Sequence, residues 1–259
     1  MRRNPKTREN ESGIQPSEWI RIIGTHSSDD EIPRGREYDF EGHNVRQTSD
    51  GGYVVVGNTQ VYASSTDVTN DSVFLVKIDS NGNMLWSRAY DRGSGYSVQQ
   101  TTDRGYIIAG KSYSKGDKRE IYLIKTDAEG NKIWSKTFNG KKDRNVREDV
   151  DFSGRSVQQT ADGGYIIAGQ TSRWDVARDR WLYDVHLVKT DSEGNELWSR
   201  TYGRGSGHSV QQTTDGGYIT VGRKWIPDFT RDSRLANSWS QDVYLIKTDA
   251  EGNEDWHRT

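Results

Sequence analysis

Apolar and polar positions follow the same order four times along this chain, and each copy predicts four β-strands. In the third copy the first strand is Ser-Val-Gln-Gln-Thr at 156–160, and the second is the apolar run Tyr-Ile-Ile-Ala-Gly at 165–169. Consecutive apolar positions predict a strand that is covered on both faces. The third strand carries Leu-Val-Lys-Thr at 187–190, and the fourth alternates, with Trp198 and Leu197 on opposite sides. No window has the period of an amphipathic helix.

Two segments mark each repeat. The first, Ser-Val-Gln-Gln-Thr-x-Asp-Gly-Gly-Tyr in its most regular form, starts at Asn44, Ser97, Ser156 and Ser209, and the second, Asp-x-x-Gly-Asn-x-x-Trp, ends at Trp86, Trp134, Trp198 and Trp256. They define repeats at 44–90, 97–138, 156–202 and 209–259, with an extra N-terminal strand around Trp19. We expect one domain over 18–259, preceded by a disordered basic tail at 1–17.

Four short antiparallel strands at a period of about 50 residues predict an all-β fold, a β-propeller of four repeats with four antiparallel strands each. A single repeat cannot cover both of its apolar faces, so stacking against its neighbours supplies the core. A two-sheet sandwich is the main alternative, but its strands would have different neighbours and no reason to share one sequence. The pattern is compatible with a closed ring, an open arc, or a partial ring completed by a second chain.

The two segments also predict particular local contacts. We expect Trp86, Trp134 and Trp198 to be largely buried against the next repeat. Two-residue hairpins require positive φ, which glycine adopts freely. The glycines expected to have positive φ are Gly52, Gly105, Gly164 and Gly217 in the first turn and Gly82, Gly130, Gly194 and Gly252 in the second. The Gln pairs at 99–100, 158–159 and 211–212 are expected to satisfy backbone groups between neighbouring repeats.

On these segments the chain resembles the tryptophan-docking repeats of pyrroloquinoline-quinone-type propellers, and is most similar to the propeller repeats of many archaeal and bacterial surface proteins. The resemblance covers all four repeats and implies the propeller fold. It implies little about activity, because propellers host binders, scaffolds and enzymes alike. A quinoprotein dehydrogenase would imply an adjacent Cys pair over the cofactor, and this chain has no Cys. We therefore expect no cofactor.

Composition excludes several classes of protein. The absence of Cys excludes a disulfide scaffold, a thiolate zinc site and a Cys nucleophile. A net charge of −2 gives no general attraction to nucleic acid. No apolar run approaches the ~20 residues of a spanning helix, and no apolar segment follows the basic start at 1–6, so neither a membrane span nor a signal peptide is expected. The compartment is left unassigned, although the resembling repeats are often extracellular.

Long insertions all fall on one of the two faces of the predicted propeller. They occupy the connections at 24–43, 58–72, 139–155, 171–184 and 223–242, whereas the turns of the opposite face are short in every repeat. Individual loops on a rigid scaffold are where binding residues concentrate. His43 and His208, which immediately precede their repeats, are placed on the loop-bearing face, where a surface histidine is the default.

Two of these insertions carry a set of aromatic and Arg side chains that predicts a binding patch. The predicted ligand-binding residues are Arg173, Trp174, Arg180, Trp181, Tyr183, Trp225, Phe229, Arg231 and Trp239. Trp and Arg contribute strongly to binding energy, and their faces suit a sugar ring or an aromatic anchor. The competing interpretation is a small satellite core within the loops.

The first functional hypothesis is a non-enzymatic binding or scaffold propeller that recognises a protein or glycan partner through this face. The alternatives are a propeller enzyme acting on a glycan, as hydrolase or lyase, and a partial propeller completed by a second chain as a homodimer. No catalytic residue is assigned. No metal site is predicted either, because the Asp-x-x-Gly-Asn turns lack the remaining ligands of a calcium loop.

Overall fold

The computed structural model describes residues 36–63, 71–113, 119–139, 150–175, 180–227 and 239–259. The predicted tail at 1–17 and the predicted Trp19 strand lie outside these ranges. The strands are β1 (Arg36–Gln47), β2 (Tyr53–Ala63), β3 (Ser72–Ile78), β4 (Met84–Gln100), β5 (Tyr106–Tyr113), β6 (Arg119–Thr126), β7 (Lys132–Phe138), β8 (Val150–Gln159), β9 (Tyr165–Asp175), β10 (Arg180–Thr190), β11 (Glu196–Gln212), β12 (Tyr218–Pro227), β13 (Trp239–Thr248) and β14 (Glu254–Arg258).

The fourteen strands form two antiparallel seven-stranded sheets, β1 to β7 and β8 to β14, in which every strand pairs with its neighbours in sequence. The prediction of an all-β chain built from antiparallel strands is confirmed. The prediction of a four-bladed propeller is wrong, because the described strands form two sheets that do not close into a ring.

The propeller prediction fails because two predicted connections are strand. In the six-residue links 91–96 and 203–208, the backbone goes directly from pairing with the preceding strand to pairing with the following strand. The backbone therefore stays extended, and β4 and β11 each run through 17 residues. β4 pairs with β3 as far as Arg92 and with β5 from Gly93 onwards. Between β7 and β8 the connection is longer, and these two strands are not paired.

The apolar core lies between repeats rather than within them. The first cluster combines Val54 and Leu75 of repeat 1 with Tyr106 and Ile108 of repeat 2, all buried. Two further clusters join repeat 2 to repeat 3 and repeat 3 to repeat 4 in the same way. Each interior repeat therefore depends on a neighbour on both faces, as expected for a stacked repeat protein.

Three tryptophans dock on the glycine turn of the following repeat. A Cβ on Gly130 would lie 2.6 Å from the Trp86 ring, so only glycine permits this contact. The same arrangement joins Trp134 to Gly194 and Trp198 to Gly252. The predicted contact with the next repeat is confirmed, and the three rings are partly buried against its core. Trp256 contacts no glycine turn among the described residues and is 39% exposed.

Glutamine side chains supply the polar contacts between repeats, as predicted. The Oε1 atom of Gln100 accepts the backbone N–H of Ser49 at 2.8 Å, and Gln212 accepts that of Ala161 at 2.8 Å. The other glutamine of the pair also acts between repeats, since Gln158 Oε1 accepts the backbone N–H of Gln212 at 2.6 Å. These bonds fix the register of neighbouring first strands, whose backbone groups face one another without a regular ladder.

A buried lysine closes the first turn of every repeat. In repeat 3, Lys189 Nζ lies 2.8 Å from Asp162 Oδ2 and donates to the backbone carbonyl of Thr190 at 2.8 Å. Burial opposes ionisation of Asp162, but hydrogen bonds from Lys189 and Thr160 lower its pKa to about 2. A Cβ on Gly164 would lie 2.2 Å from the Thr190 carbonyl oxygen, so glycine is required here for close approach. The equivalent lysines are Lys77, Lys125 and Lys247.

The prediction of positive φ was right for one turn and displaced by one residue in the other. Gly82, Gly130, Gly194 and Gly252 have positive φ as expected. In the first turn the positive φ belongs to the preceding position, Gly51, Arg104, Gly163 and Gly216, and not to Gly52, Gly105, Gly164 and Gly217. The loops contain three residues, with a left-handed residue last, whereas two were predicted.

His186 is a buried titratable group in the core of the second sheet. Its Nδ1 atom lies 3.0 Å from Thr201 Oγ1, its ring packs edge-on against Phe152 at 5.4 Å, and its Nε2 atom has no partner among the described residues. Burial lowers the pKa of His186 to about 4. The folded protein therefore holds a neutral imidazole at neutral pH.

We predict that Arg104→Gly stabilises the protein by about 1 kcal/mol, because Arg104 holds a φ of 68°, which strains any residue with a Cβ. Urea unfolding at neutral pH measures the change. Gly163→Ala is the matched control in repeat 3, where a Cβ meets open space but the same positive φ, and it should destabilise. An unchanged or lowered urea midpoint for the Arg104 variant would contradict the claim that the positive φ of Arg104 is strained.

We predict that Trp134→Ala costs about 2 kcal/mol, less than the ~3–5 kcal/mol of a fully buried tryptophan because the ring is half-buried. Trp256→Ala is the control, since that ring covers no following repeat, and it should change stability by less than about 0.5 kcal/mol. Thermal and urea unfolding of dilute protein compare the two. Equal losses of stability in the two variants would contradict the docking role of Trp134.

We predict that the buried His186 makes stability fall as pH decreases from about 6.5, the ordinary pKa of histidine, towards 4. In that range only the unfolded chain takes up a proton on the His186 imidazole. His186→Phe, which copies Phe74 at the same position of repeat 1, should remove roughly 2 kcal/mol of the loss between pH 6.5 and 5. Parallel pH profiles of the two proteins would show that His186 is not the group responsible.

Candidate functional site

Each repeat contains a β-bulge at the same place in its first strand. The pairing register slips between Gly42 and Asn44, and at the equivalent position in the other three repeats. The bulged residues are His43, Tyr96, Arg155 and His208. We call these four side chains the bulge row. Bulges redirect a side chain and are common beside functional sites.

Glycines on both strands make the bulge possible. A Cβ on Gly169 would lie 1.9 Å from the backbone oxygen of Ser153, so the opposite strand must carry glycine there. A Cβ on Gly154, just before the bulged Arg155, would lie 3.1 Å from Ile121 of the preceding repeat. The local sequence therefore brings each bulge close to the neighbouring repeat, and the four first strands lie side by side.

The first two residues of the bulge row, His43 and Tyr96, are aromatic, and one cation, Lys111, lies beside them. His43 Nδ1 lies 2.8 Å from the Gly95 carbonyl oxygen, and the His43 and Tyr96 rings are 5.0 Å apart. Lys111 Nζ lies over both the Tyr96 ring and the Tyr113 ring, at 5.6 and 5.2 Å. Burial opposes the charge of Lys111, but contacts with Tyr96 and Tyr113 raise its pKa on balance. Lys111 therefore remains a cation at neutral pH.

Arg155 is the central cation of the row. Its side chain is half-buried, its Nε atom has no hydrogen-bond partner, and no carboxylate pairs with it among the described residues. Burial lowers the pKa of Arg155, Tyr96 partly offsets this, and the charge of Arg223 lowers it further. An anion placed at Arg155 would offset both effects, because an opposite charge favours the charged form of the guanidinium.

His208 completes the row without adding charge. Its Nε2 atom lies 3.0 Å from Ser206 Oγ. Burial, together with the charges of Arg155 and Arg223, lowers the pKa of His208. The imidazole is therefore neutral at neutral pH and can exchange hydrogen bonds with a ligand in either direction, depending on its tautomer.

Two of the predicted insertions are joined by an aromatic pair, Tyr183 and Trp225. Their rings stack at 5.0 Å with an interplanar angle of 23°, which joins the insertion of repeat 3 to that of repeat 4. The guanidinium of Arg223 lies 5.9 Å from the Trp225 ring centroid. Arg223 thus connects the aromatic pair to Arg155 and His208.

Of the other seven predicted patch residues, the structure describes the side chains of three, Arg173, Trp174 and Trp181. Trp174 and Trp181 pack edge-on at 5.5 Å, and Trp181 is exposed on the same face of β10 as Tyr183. Arg173 was expected beside the tryptophans, but it acts on Asp184, whose pKa is raised by burial and lowered in part by Arg173 and Arg204. Phe229 and Arg231, and the side chains of Arg180 and Trp239, lie outside the described residues.

Sequence reasoning missed Tyr96, Lys111, Arg155 and Arg223, although a signal was present. The segment Gly-x-Ser-Val-Gln-Gln repeats with little change except at x, which is occupied by three residue types: His43, Tyr96, Arg155 and His208. A position that varies inside an otherwise repeated segment is free of the scaffold's demands. The position after the glycine of the second strand, which carries Lys111 and Arg223, varies in the same way.

Comparison with known proteins gives no assignment: no protein-family model and no curated protein matches the chain. In the described ranges, no three His, Asp or Glu side chains come together in a group that could hold a metal ion. Those ranges also contain no helix long and apolar enough to cross a membrane.

Proposed function

We propose that the chain is a non-enzymatic binding module that takes an anionic carbohydrate along the bulge row and the aromatic pair. The observation that supports this most is the half-buried Arg155, which has an unpartnered Nε atom and no carboxylate partner among the described residues, and whose pKa is lowered by burial and by the charge of Arg223. Guanidinium groups bind carboxylate and sulfate groups with paired hydrogen bonds.

The aromatic pair supports a ring-shaped ligand. Tyr183 and Trp225 are both half-buried, and exposed Trp181 continues the same face. Aromatic faces pack against the apolar faces of sugar rings, and the Arg223 guanidinium lies close enough to read a charged substituent. An acidic sugar would use both features, whereas a neutral sugar would leave the cations unpaired.

The architecture also supports an extended ligand rather than a single small molecule. The row draws one side chain from each of four consecutive repeats, with His43 and His208 at its two ends. A flexible acidic oligosaccharide could contact several of these side chains in succession, so affinity would accumulate along the row.

The test is calorimetric titration with oligogalacturonate and with heparin-derived oligosaccharides, using neutral malto-oligosaccharides as the uncharged comparison. We expect Arg155→Gln to weaken binding of the acidic probe about tenfold or more, because one charge-assisted pair is lost. The double variant Trp181→Ala, Trp225→Ala should also weaken it. Arg200→Gln, an exposed cation on the outer side of repeat 3, is the matched control and should bind normally.

Equal affinity for acidic and neutral sugars contradicts the proposal, as does normal binding by the Arg155 variant. If an acidic peptide such as poly-glutamate binds at this site and neither acidic sugar does, the carbohydrate assignment is wrong.

A further inference from the structure

The cations of the candidate site are distributed one per repeat. Two positions flank each bulge, namely the bulged residue itself and the residue after the glycine of the second strand. From repeat 1 to repeat 4 these positions carry His43 and Asn58, Tyr96 and Lys111, Arg155 and Gln170, and His208 and Arg223. Repeats 2, 3 and 4 therefore each place one cation here, at one position or the other, and repeat 1 places none.

The backbone brings these positions of neighbouring repeats together. The serine that follows a bulge is bonded to the next repeat, since Ser97 Oγ accepts the backbone N–H of Val157 at 3.2 Å. Ser156 Oγ accepts that of Val210 at 3.3 Å in the same way. The bulged residues one position earlier, which include Arg155, therefore follow one another along the packed first strands.

Side-chain contacts connect the three cations across this surface. Lys111 Nζ lies 5.6 Å from the centroid of the Tyr96 ring. Burial lowers the pKa of Arg155, Tyr96 raises it in part, and the charge of Arg223 lowers it further. Tyr96 thus links Lys111 to Arg155, and Arg155 in turn interacts with Arg223.

None of the three cations forms an ion pair with a carboxylate of the described residues. Lys111 packs on aromatic rings, the Arg155 Nε atom has no hydrogen-bond partner, and Arg223 donates to the neutral side chain of Gln241 at 3.1 Å. The scaffold lysines differ, because each pairs with an aspartate, as Lys189 does. The site therefore presents three positive charges in succession that this part of the chain leaves unneutralised.

The charge along the row changes sign at repeat 1. Glu41 stands at the strand position that is serine in the other repeats, at Ser94, Ser153 and Ser206. Its Oε2 atom lies 3.5 Å from His43 Nε2, and its side chain is 69% exposed. A carboxylate beside the bulge repels an acid group, so the attraction for anions ends between repeats 1 and 2.

We propose that the site takes an internal stretch of a linear acidic polysaccharide, with three acid groups bound in succession at Lys111, Arg155 and Arg223. This assignment rests on the proposed function, because it places the acid groups of the same ligand. A glycan with a single terminal acid would neutralise one cation and leave two. A chain of acid groups can neutralise all three, and once one group is bound the others are held at high effective concentration.

The test is calorimetric titration with two probe series of increasing length, oligogalacturonates and heparin-derived oligosaccharides, which distinguish carboxylate from sulfate chains. We expect affinity to rise with length and to level off once a probe reaches all three cations. Lys111→Gln should weaken the longest probe about tenfold and leave the shortest unchanged, because a short probe is held at Arg155 and Arg223.

Two further variants sharpen the test. Lys224→Gln is the matched control, because Lys224 neighbours Arg223 on the opposite face of β12, with its Nζ atom 4.7 Å from the Tyr244 ring centroid, and it should bind normally. Glu41→Lys adds a fourth cation and should strengthen binding of the longest probe only. Circular dichroism confirms that each variant is folded.

The outcomes separate this assignment from the function on which it rests. If no acidic sugar of any length binds, the proposed function is wrong. If acidic sugars bind but affinity does not rise with length, or the Lys111 variant binds the longest probe normally, the three-cation assignment alone is overturned. Unchanged or weaker binding by the Glu41 variant, or tighter binding of a single-stranded oligonucleotide than of either sugar series, also overturns it.

Discussion

The structure depends on one constraint, which is that a single four-stranded repeat of this sequence has two apolar faces and can cover neither by itself. The solution is to place the core between repeats, with Val54 and Leu75 of one repeat packed on Tyr106 and Ile108 of the next. The tryptophan on its glycine turn and the glutamine bonds complete the same contact. Most of the repeated sequence follows from the need to make this contact three times.

The candidate site is a consequence of that contact. Close packing brings the first strands side by side, and the glycines on either side of each bulge allow the bulged side chains to form one row. The repeated positions make the contacts between repeats. The bulge positions are free to differ, and they supply the side chains of the candidate site. Burial and the charge of Arg223 both oppose the charged form of half-buried Arg155, which is why Arg155 is the centre of the proposed site.

Much of the local structure could be predicted from the sequence, because it depends on short-range patterns. The apolar runs predicted the second and third strands, the docking of Trp134 followed from its repeated register, and Gly194 has the expected positive φ. The first turn was misplaced by one residue because Asp-Gly-Gly permits hairpins of two or three residues. The loop hydrogen bonds and the positive φ of Gly163 show that the three-residue form is adopted.

The larger architecture could not be predicted, because it depends on what the connections do. The link at 91–96 fits a turn or a continuous strand equally well by composition, yet a continuous strand gives two seven-stranded sheets in place of separate blades. The bulges were missed because they arise from glycines facing one another across two strands, a relation that no local window contains. The effect of Arg173 on the pKa of Asp184 acts between the two strands of a hairpin, so no local window of the sequence indicates it.

Residue-resolved hydrogen exchange of the dilute protein tests the central claim, that contacts between repeats hold the first strands in register. The backbone amides of Val98, Val157 and Val210 donate to side chains of the preceding repeat at 3.2–3.3 Å. The amide of Val45 has no preceding repeat in the described chain. The account predicts slow exchange at the three interior amides and fast exchange at Val45. Exchange at Val157 as fast as at Val45 would contradict it.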